Sequence, residues 1–177
     1  FIKILCGLLR PSSGKLLING KSITKFASYN HNSSAILDIA YIPQSNKLIE
    51  GTILENIKFF SRNVGNIPKN LDEILDITLC NEFIKKLPNG INQLVGDSSS
   101  YQLSGGQIQR LAIAISLCES PSMLIMDEST NALDIEKEKK IISNIIKYFN
   151  GIFVLITHRQ DNCRLFNKVI VIKNNRV

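Results

Sequence analysis

The sequence predicts an α/β fold in which helices cover a mostly parallel sheet and a helical region is inserted into the chain. Two unbroken apolar runs, residues 123–126 and 152–156, are typical of strands that are buried on both faces. A stretch with helical apolar spacing, residues 134–149, lies between them, as in a strand–helix–strand unit. Residues 71–87 also carry helical spacing between two prolines, which predicts the helical insertion.

Composition limits the class of protein. With 44% apolar and 20% charged residues, the 177 residues suit one folded domain rather than a disordered chain. The four cysteines are far apart, which argues against a metal site or a disulfide scaffold and predicts free thiols. No apolar run approaches the roughly 20 residues that cross a bilayer, so these residues are predicted not to span a membrane. The net charge of +6 would suit a nucleic-acid partner, but the 21 basic residues are dispersed and indicate solvated surface instead.

The first predicted elements are short. Residues 1–9 are predicted to form a helix, and because no capping residue precedes it, the pattern indicates a truncated chain. A turn at 11–14 leads to a short strand at 15–18, which Asn19-Gly20 closes.

A strand, a loop and a capped helix are predicted next. Residues 36–42 suit the strand, and residues 43–51 suit the loop that follows it. Thr52 and Glu55 form a capping-box pattern, in which each side chain accepts a hydrogen bond from the other residue's backbone N–H. The helix that begins there is predicted to extend to Phe60.

A second capping-box pattern, Ser104 with Gln107, places Ser104 at the N-terminus of a helix whose apolar face continues to residue 118. We expect this helix to belong to a helical subdomain of about residues 61–120, inserted into an α/β core within residues 1–177. A last strand is predicted at 169–173.

Two acidic residues, Asp127 and Glu128, follow a predicted buried strand. Carboxylates at such a position are costly unless a ligand needs them, and open α/β sheets bind ligands beyond their strand ends. In phosphoryl transfer one carboxylate typically holds Mg²⁺ and a neighbour orients or deprotonates the attacking water. The alternative is a pair of solvated acids that end a strand.

The string Leu103-Ser-Gly-Gly-Gln107 indicates a phosphate site. Two glycines at a helix N-terminus expose backbone N–H groups, and the helix dipole adds positive potential. The Ser104 hydroxyl is a further donor. The alternative is an ordinary loop in which Ser104 only caps the helix, but the string continues into residues 108–110 and a strand that ends in Asp-Glu.

Five stretches of the chain, in this order, resemble the motifs of ATP-binding-cassette (ABC) proteins and together span almost all of it. Their counterparts are the Q-loop (41–44), the signature motif (103–110), the Walker B strand (123–128), the D-loop (129–134) and the switch histidine (155–158). The resemblance implies a P-loop NTPase fold whose helical subdomain carries the signature motif, with ATP and Mg²⁺ as ligands.

The resemblance also implies roles for single residues. Gln44 would contact Mg²⁺ or the attacking water and report to a membrane domain. Asp127 would bind Mg²⁺ through water, and Glu128 would be the general base. His158 would contact the γ-phosphate.

Partners are implied in the same way. In the family two ATP-binding domains meet head to tail, so Ser104, Gly105, Gly106 and Gln107 would close over the ATP that the other domain holds. Asp134 would lie across the dimer interface. The domain would dock on a transmembrane domain at the cytoplasmic face of the cell membrane, with no nucleic-acid partner.

The Walker A loop requires the pattern G-x-x-x-x-G-K-[ST], whose amides and Lys hold the phosphates. Gly14-Lys15 does not fulfil it, because Gly7 precedes it at the wrong spacing and Leu16 follows. In the family the helix at 1–9 would come directly after Walker A. The resemblance therefore implies an incomplete P-loop NTPase core, truncated just after that loop, which is inactive alone although the intact parent hydrolyses ATP.

Residues 49–57 and 94–97 resemble exporter segments, which favours export over import, although Asp97 stands where exporters usually have Glu. Two alternatives remain. A non-transport cassette ATPase acting on nucleic acid or the ribosome would suit the basic composition, but neither a long coiled-coil insertion nor a second cassette is present in the sequence. A regulatory cassette without turnover is disfavoured because Glu128 and His158 are both present.

Overall fold

The computed structural model describes residues 2–6, 9–18, 20–22, 38–60, 67–96, 99 and 101–172. The predictions for Asn19, Asp97 and Lys173 lie outside these residues, as do parts of the strand predicted at 36–42 and of the predicted helical subdomain.

The described part of the chain contains seven short strands and six α-helices. The strands are β1 (Leu17–Ile18), β2 (Lys21–Ser22), β3 (Ile39–Ile42), β4 (Gly51–Thr52), β5 (Leu94–Val95), β6 (Met123–Asp127) and β7 (Ile152–Ile156). The α-helices are α1 (Ile2–Leu5), α2 (Ile53–Phe60), α3 (Leu71–Ile77), α4 (Asn81–Ile84), α5 (Gly105–Cys118) and α6 (Ile135–Tyr148). Short 3-10 helices cover Gly90–Asn92 and Gln160–Leu165.

The centre of the fold is a three-stranded parallel sheet in the order β3, β6, β7. Residues 123–126 of β6 are all buried, as their apolar run predicts. Ile42 pairs with Met126, and Asp127 pairs with Ile156, so the carboxyl ends of all three strands lie at one edge of the sheet. The parallel sheet and its covering helices confirm the predicted α/β class.

Two long helices begin at capping residues, and the capping-box pattern predicted the first of them, Ser104. At α5 the Ser104 hydroxyl accepts from the Gln107 backbone N–H at 3.3 Å, and the Gln107 side chain accepts from the Ser104 N–H at 2.8 Å. At α6 the Asp134 carboxylate accepts from the Lys137 N–H at 2.9 Å. These bonds satisfy backbone donors that would otherwise lack partners in the first turn, so they fix where each helix begins.

The capping box predicted at Thr52 is also present. The Thr52 N–H donates to Glu55 at 2.6 Å, and the Glu55 N–H donates to the Thr52 hydroxyl at 3.0 Å. Hydrogen bonds from Thr52 lower the pKa of the Glu55 carboxyl. The helix α2 therefore begins directly after β4, which pairs with β5 in an antiparallel ribbon.

The predicted helical stretch at 71–87 contains two short helices, α3 and α4, with a break between them. Leu79 has φ of 57°, a left-handed conformation that a helix cannot contain. The Arg110 guanidinium of α5 donates to the Leu79 carbonyl at 2.7 Å and lies 4.9 Å from the centre of the Phe83 ring. Tertiary contacts with α5 therefore accompany the break, which local spacing does not reveal.

The strand predicted at 169–173 is wrong for its described part. Residues 169–172 are not assigned to a strand, and their side chains are 50–59% exposed. A strand requires a neighbour that satisfies its backbone groups and covers its apolar face. Within the described ranges no strand pairs with this segment, so its β-branched composition alone does not produce one.

Two expectations from composition concern membranes and thiols. Within the described residues, the helices are all too short or too polar to cross a bilayer. The four cysteines are free. Burial raises the pKa of the Cys80 and Cys118 thiols to about 12, so both stay protonated near neutral pH.

Candidate functional site

Four predicted site residues follow the carboxyl ends of the three central strands. Gln44 comes after β3, Asp127 ends β6 with Glu128 next to it, and His158 follows β7. Because the strands are parallel and in register, their ends bring these side chains to the same edge of the sheet. The sheet thus brings Gln44 next to residues that lie more than 80 positions further along the chain.

Glu128 is the centre of this group. His158 Nε2 lies 2.5 Å from Glu128 Oε1. The side-chain amides of Gln44 and Asn131 each donate to Glu128 Oε2 at 3.1 Å. Three segments therefore orient one carboxylate, whose side chain is 22% exposed, whereas the His158 side chain is 84% exposed.

The backbone of Glu128 is unusual. Its φ is 50°, in the left-handed region that residues other than glycine rarely adopt. Its N–H still donates to the Ile156 carbonyl at 3.1 Å, so the strand pairing continues up to this residue and the chain turns there. Strained backbone of this kind tends to occur at functional sites, where surrounding contacts hold it in place.

Asp127 has a different partner. The Tyr41 hydroxyl donates to Asp127 Oδ2 at 2.8 Å. This hydrogen bond to a carboxylate is the main cause that raises the pKa of Tyr41 to about 12. Tyr41 therefore remains a hydrogen-bond donor at neutral pH and fixes one oxygen of Asp127.

The sequence did not single out Tyr41 or Asn131 as functional residues. For Tyr41 a signal existed, since it pairs with Ile125 in the sheet and therefore points to the same face as Asp127, two residues further on. Asn131 lies three residues after Glu128, within the predicted D-loop stretch 129–134, but the position of its side chain depends on the path of that loop, which the structure gives.

The other predicted site residues lie around a cleft of about 320 Å³ between the start of α5 and the loop before α6. The cleft is lined by Ser104, Gly105, Gly106, Arg110, Ala132, Leu133, Asp134 and Lys137. Gln107, by contrast, uses its side chain in the capping box. Lys137 Nζ lies 2.5 Å from Asp134, and this contact lowers the pKa of the Asp134 carboxyl.

The two glycines of the signature motif differ in how closely the neighbouring chain approaches them. A Cβ at Gly106 would lie 3.0 Å from the Ala132 carbonyl oxygen and 3.3 Å from a Leu133 methyl group. At Gly105 the nearest atom would be an Ala132 carbon at 3.5 Å, an ordinary contact. Packing against residues 132 and 133 therefore favours glycine at 106 more than at 105.

This difference gives a matched pair of variants. We expect Gly106→Ala to lower the free energy of unfolding by about 1–3 kcal/mol through overpacking against Ala132. Gly105→Ala should be neutral or stabilising by up to about 1 kcal/mol, since alanine favours the helix. Urea unfolding of both variants measures the difference, and equal midpoints would contradict it.

The side chains near Asp127 supply some, but not all, of the oxygen ligands that Mg²⁺ needs. Among the residues that the structure describes, no three His, Cys, Asp or Glu side chains are grouped so that they could hold a metal ion alone. Mg²⁺, however, commonly binds one or two protein oxygens together with waters and substrate phosphates. Asp127 and Gln44 supply oxygens of this kind, so they fit an ion that is shared with a bound nucleotide.

Comparison with known proteins identifies the family. A family model described as ABC transporter matches residues 1–131, well over half of the chain. The chain belongs to the ABC transporter family. The resemblance drawn from the five motifs is therefore confirmed, and so is the ABC ATPase core.

The names of individual relatives are consistent with this family. The Escherichia coli colicin V secretion/processing ATP-binding protein CvaB is 36% identical over 97% of this chain and 23% of its own length. RC1073 of Rickettsia conorii, whose name describes an export ATP-binding/permease protein, is 36% identical over 99% of this chain and 30% of its own length. The chain thus spans 23–30% of these curated relatives.

A solved structure shares the fold of this chain. It is described as a bacterial Atm1-family ABC exporter with ATP bound, and it superposes with a TM-score of 0.76 at 29% sequence identity. The match covers 90% of this chain and 27% of that one. The exporter-type segments in the sequence are therefore consistent with the proteins that it resembles.

Proposed function

We propose that this chain is an ATP-binding and ATP-hydrolysing domain, and that the full-length protein to which it belongs uses hydrolysis to drive export across a membrane. The observation that carries the proposal is the Glu128 carboxylate at the end of β6, held by His158, Gln44 and Asn131. A carboxylate fixed in this way, at the ligand-binding edge of an α/β sheet, suits a base that activates water.

In this proposal Glu128 accepts a proton from the water that attacks the γ-phosphate. Its two oxygens offer about four acceptor positions, so a water can bind beside the three contacts already present. His158 is largely exposed and would contact the γ-phosphate while it holds Glu128 in place. Gln44 donates to the Glu128 oxygen that His158 does not contact. From there it would orient the water or contact the metal.

Asp127, with Gln44, would hold Mg²⁺. The Tyr41 hydrogen bond keeps the Asp127 carboxylate in one orientation, which suits a residue that binds the ion through water. When bound, Mg²⁺ would neutralise charge on the phosphates during transfer. The phosphates would also need a Walker A loop, which we propose precedes residue 1 in the full-length protein.

We propose further that the signature residues act on the nucleotide of a second ATP-binding domain. Ser104 and Gly105 are exposed at the N-terminus of α5, where backbone N–H groups and the helix dipole favour an anion. Gly106, Gln107 and Asp134 would complete this surface. Their position is compatible with a head-to-tail pair in which Asp134 lies at the interface.

The names of the relatives support a membrane partner. CvaB is named for secretion and RC1073 for export and permease activity, and the matched structure is an exporter with ATP bound. A transmembrane domain would therefore bind this chain at the cytoplasmic face of the membrane. The transported substrate would be selected by that domain, and no nucleic acid would take part.

The test compares the 177-residue chain with a version extended upstream through the proposed Walker A loop. Mg-ATP hydrolysis and ATP-dependent dimerisation are measured on both. We expect only the extended version to turn over and dimerise. If the extended version is folded and does neither, the protein is a cassette without hydrolysis and the proposal is wrong.

A further inference from the structure

Glu138 is a buried carboxylate that the proposed chemistry does not use. It lies on α6, one turn after Asp134, and is 1% exposed. A buried charge is costly unless it is paired and hydrogen-bonded. The contacts that compensate this charge therefore identify the parts of the chain that Glu138 holds together.

Both oxygens of Glu138 have partners. Oε1 accepts from the Thr130 hydroxyl at 2.6 Å and from the Asn162 side-chain amide at 3.0 Å. Oε2 accepts from the Arg159 guanidinium. Thr130 and Asn162 are each 1% exposed, whereas the Arg159 side chain is 33% exposed, so solvent reaches this group only from the arginine.

The partners belong to the segments that carry the proposed catalytic residues. Thr130 lies two residues after Glu128, and Arg159 comes directly after His158. The second terminal nitrogen of Arg159 donates to the Leu133 carbonyl at 3.3 Å, next to Asp134. Glu138 and Arg159 thus connect the loop after β6 with the loop after β7.

The same two loops are also joined at the surface, by the contact between His158 and Glu128. That contact is exposed on the histidine side, and exposed polar contacts contribute little because water competes for the same groups and side-chain entropy is lost. The Glu138 carboxylate is buried, with a side chain 1% exposed, and its hydrogen bonds are charge-assisted, which makes them shorter and stronger; the Arg159 side chain is 33% exposed. The contacts of Glu138 are therefore the stronger constraint on how the two loops lie relative to each other.

We infer that Glu138 is a positioning residue for ATP hydrolysis. Through Thr130 and Arg159 it holds the loop of His158 against the loop of Glu128, so that these two side chains stay in contact. Through Arg159 and Leu133 it also fixes the path of the chain up to Asp134. This inference rests on the proposed function, because it assigns Glu138 to the geometry of Glu128 and His158.

The first variant is Glu138→Gln in the full-length protein. Thr130 and Arg159 donate to different oxygens of Glu138, and in the amide of the same size one of these positions is an NH2 group that cannot accept a hydrogen bond. We expect kcat to fall by roughly 10- to 100-fold, as for other residues that orient a reacting group. KM for ATP should stay within about twofold, since the contacts to nucleotide are unchanged.

The matched control is Glu136→Gln, which removes an exposed carboxylate from the same helix. It should leave kcat at the wild-type value. The double variant E138Q/R159Q removes the unpaired guanidinium and should recover part of the lost kcat relative to the Glu138→Gln variant. Backbone hydrogen exchange of residues 156–160 in nucleotide-free protein should speed up in Glu138→Gln and not in Glu136→Gln.

A second variant covers the case in which Glu138→Gln does not fold. Arg159→Lys keeps the charge but has a single terminal nitrogen, so it cannot reach Glu138 and Leu133 together. It should lower kcat in the same range. Wild-type kcat and exchange rates in a folded Glu138→Gln or Arg159→Lys variant would overturn the inference.

Glu128→Gln, measured in parallel, separates the two proposals. If Glu128→Gln abolishes turnover and Glu138→Gln does not affect it, the positioning role is wrong and the proposed function stands. If Glu128→Gln has wild-type turnover, Glu128 is not the general base, and the positioning role falls with that assignment although ATP hydrolysis itself stands.

Discussion

Replacing Glu128 with glutamine should lower the rate of Mg-ATP hydrolysis by about 10²- to 10⁴-fold, the contribution expected of a general base. The amide keeps the size of the side chain and its contacts with Gln44 and Asn131 need little rearrangement, because one oxygen remains to accept them. What is lost is the ability to accept a proton. The measurement is steady-state phosphate release by the full-length protein at saturating Mg-ATP.

Nucleotide binding provides the control for this variant. ATP affinity should remain within about threefold of wild type, because a general base acts in the transition state rather than in binding. Glu136→Gln, on the exposed side of α6, should retain full turnover. Unchanged phosphate release by Glu128→Gln would remove this residue from its proposed role.

Replacing Ile142 with alanine should lower the free energy of unfolding by about 2–5 kcal/mol, the range for a large buried aliphatic side chain. Ile142 is 0% exposed on α6, between Ile141 and Ile145, which are equally buried. The loss is large because transfer energy and a residual cavity both contribute. Urea unfolding of the domain extended through Walker A measures it.

Ile146→Ala is the matched control, four residues further along the same helix. Its side chain is 40% exposed, so truncation should cost less than about 1 kcal/mol. A similar loss in both variants would mean that the packing of α6 is not as the structure shows. The pair also tests whether α6, which carries Asp134 and Glu138, is held mainly by its apolar face.

The elements that local chemistry determines were predictable. The apolar runs predicted the strands β6 and β7, although only β6 is buried, and the predicted caps at Thr52 and Ser104 satisfy backbone donors within three residues. Some residues of the candidate site were predictable because they come directly after the ends of predicted strands. Parallel pairing then brings Gln44, Glu128 and His158 together.

The features that depend on tertiary contacts were not predictable. The break at Leu79 accompanies a hydrogen bond from Arg110, 31 residues away, and no local pattern encodes it. The segment at 169–172 has strand composition but lacks a pairing neighbour among the described residues. In both cases the decisive partner is distant in sequence.

Glu138 shows an intermediate case. It belongs to a run of charged residues, 136–140, which by composition indicates a solvated helix face. Glu138 nevertheless precedes the buried residues Ile141, Ile142 and Ile145 by three, four and seven positions. This helical spacing places it on the buried face. Helical periodicity therefore contained the signal that composition concealed.

The left-handed backbone at Glu128 limits which residues can replace it during evolution. Only glycine, and to a lesser degree asparagine and aspartate, adopt that conformation at low cost, whereas β-branched residues are strongly disfavoured. A lineage that abandons hydrolysis but keeps the fold should therefore drift toward Gly, Asn or Asp at this position. Valine, isoleucine or threonine there would mark a lineage in which the turn itself has been rebuilt.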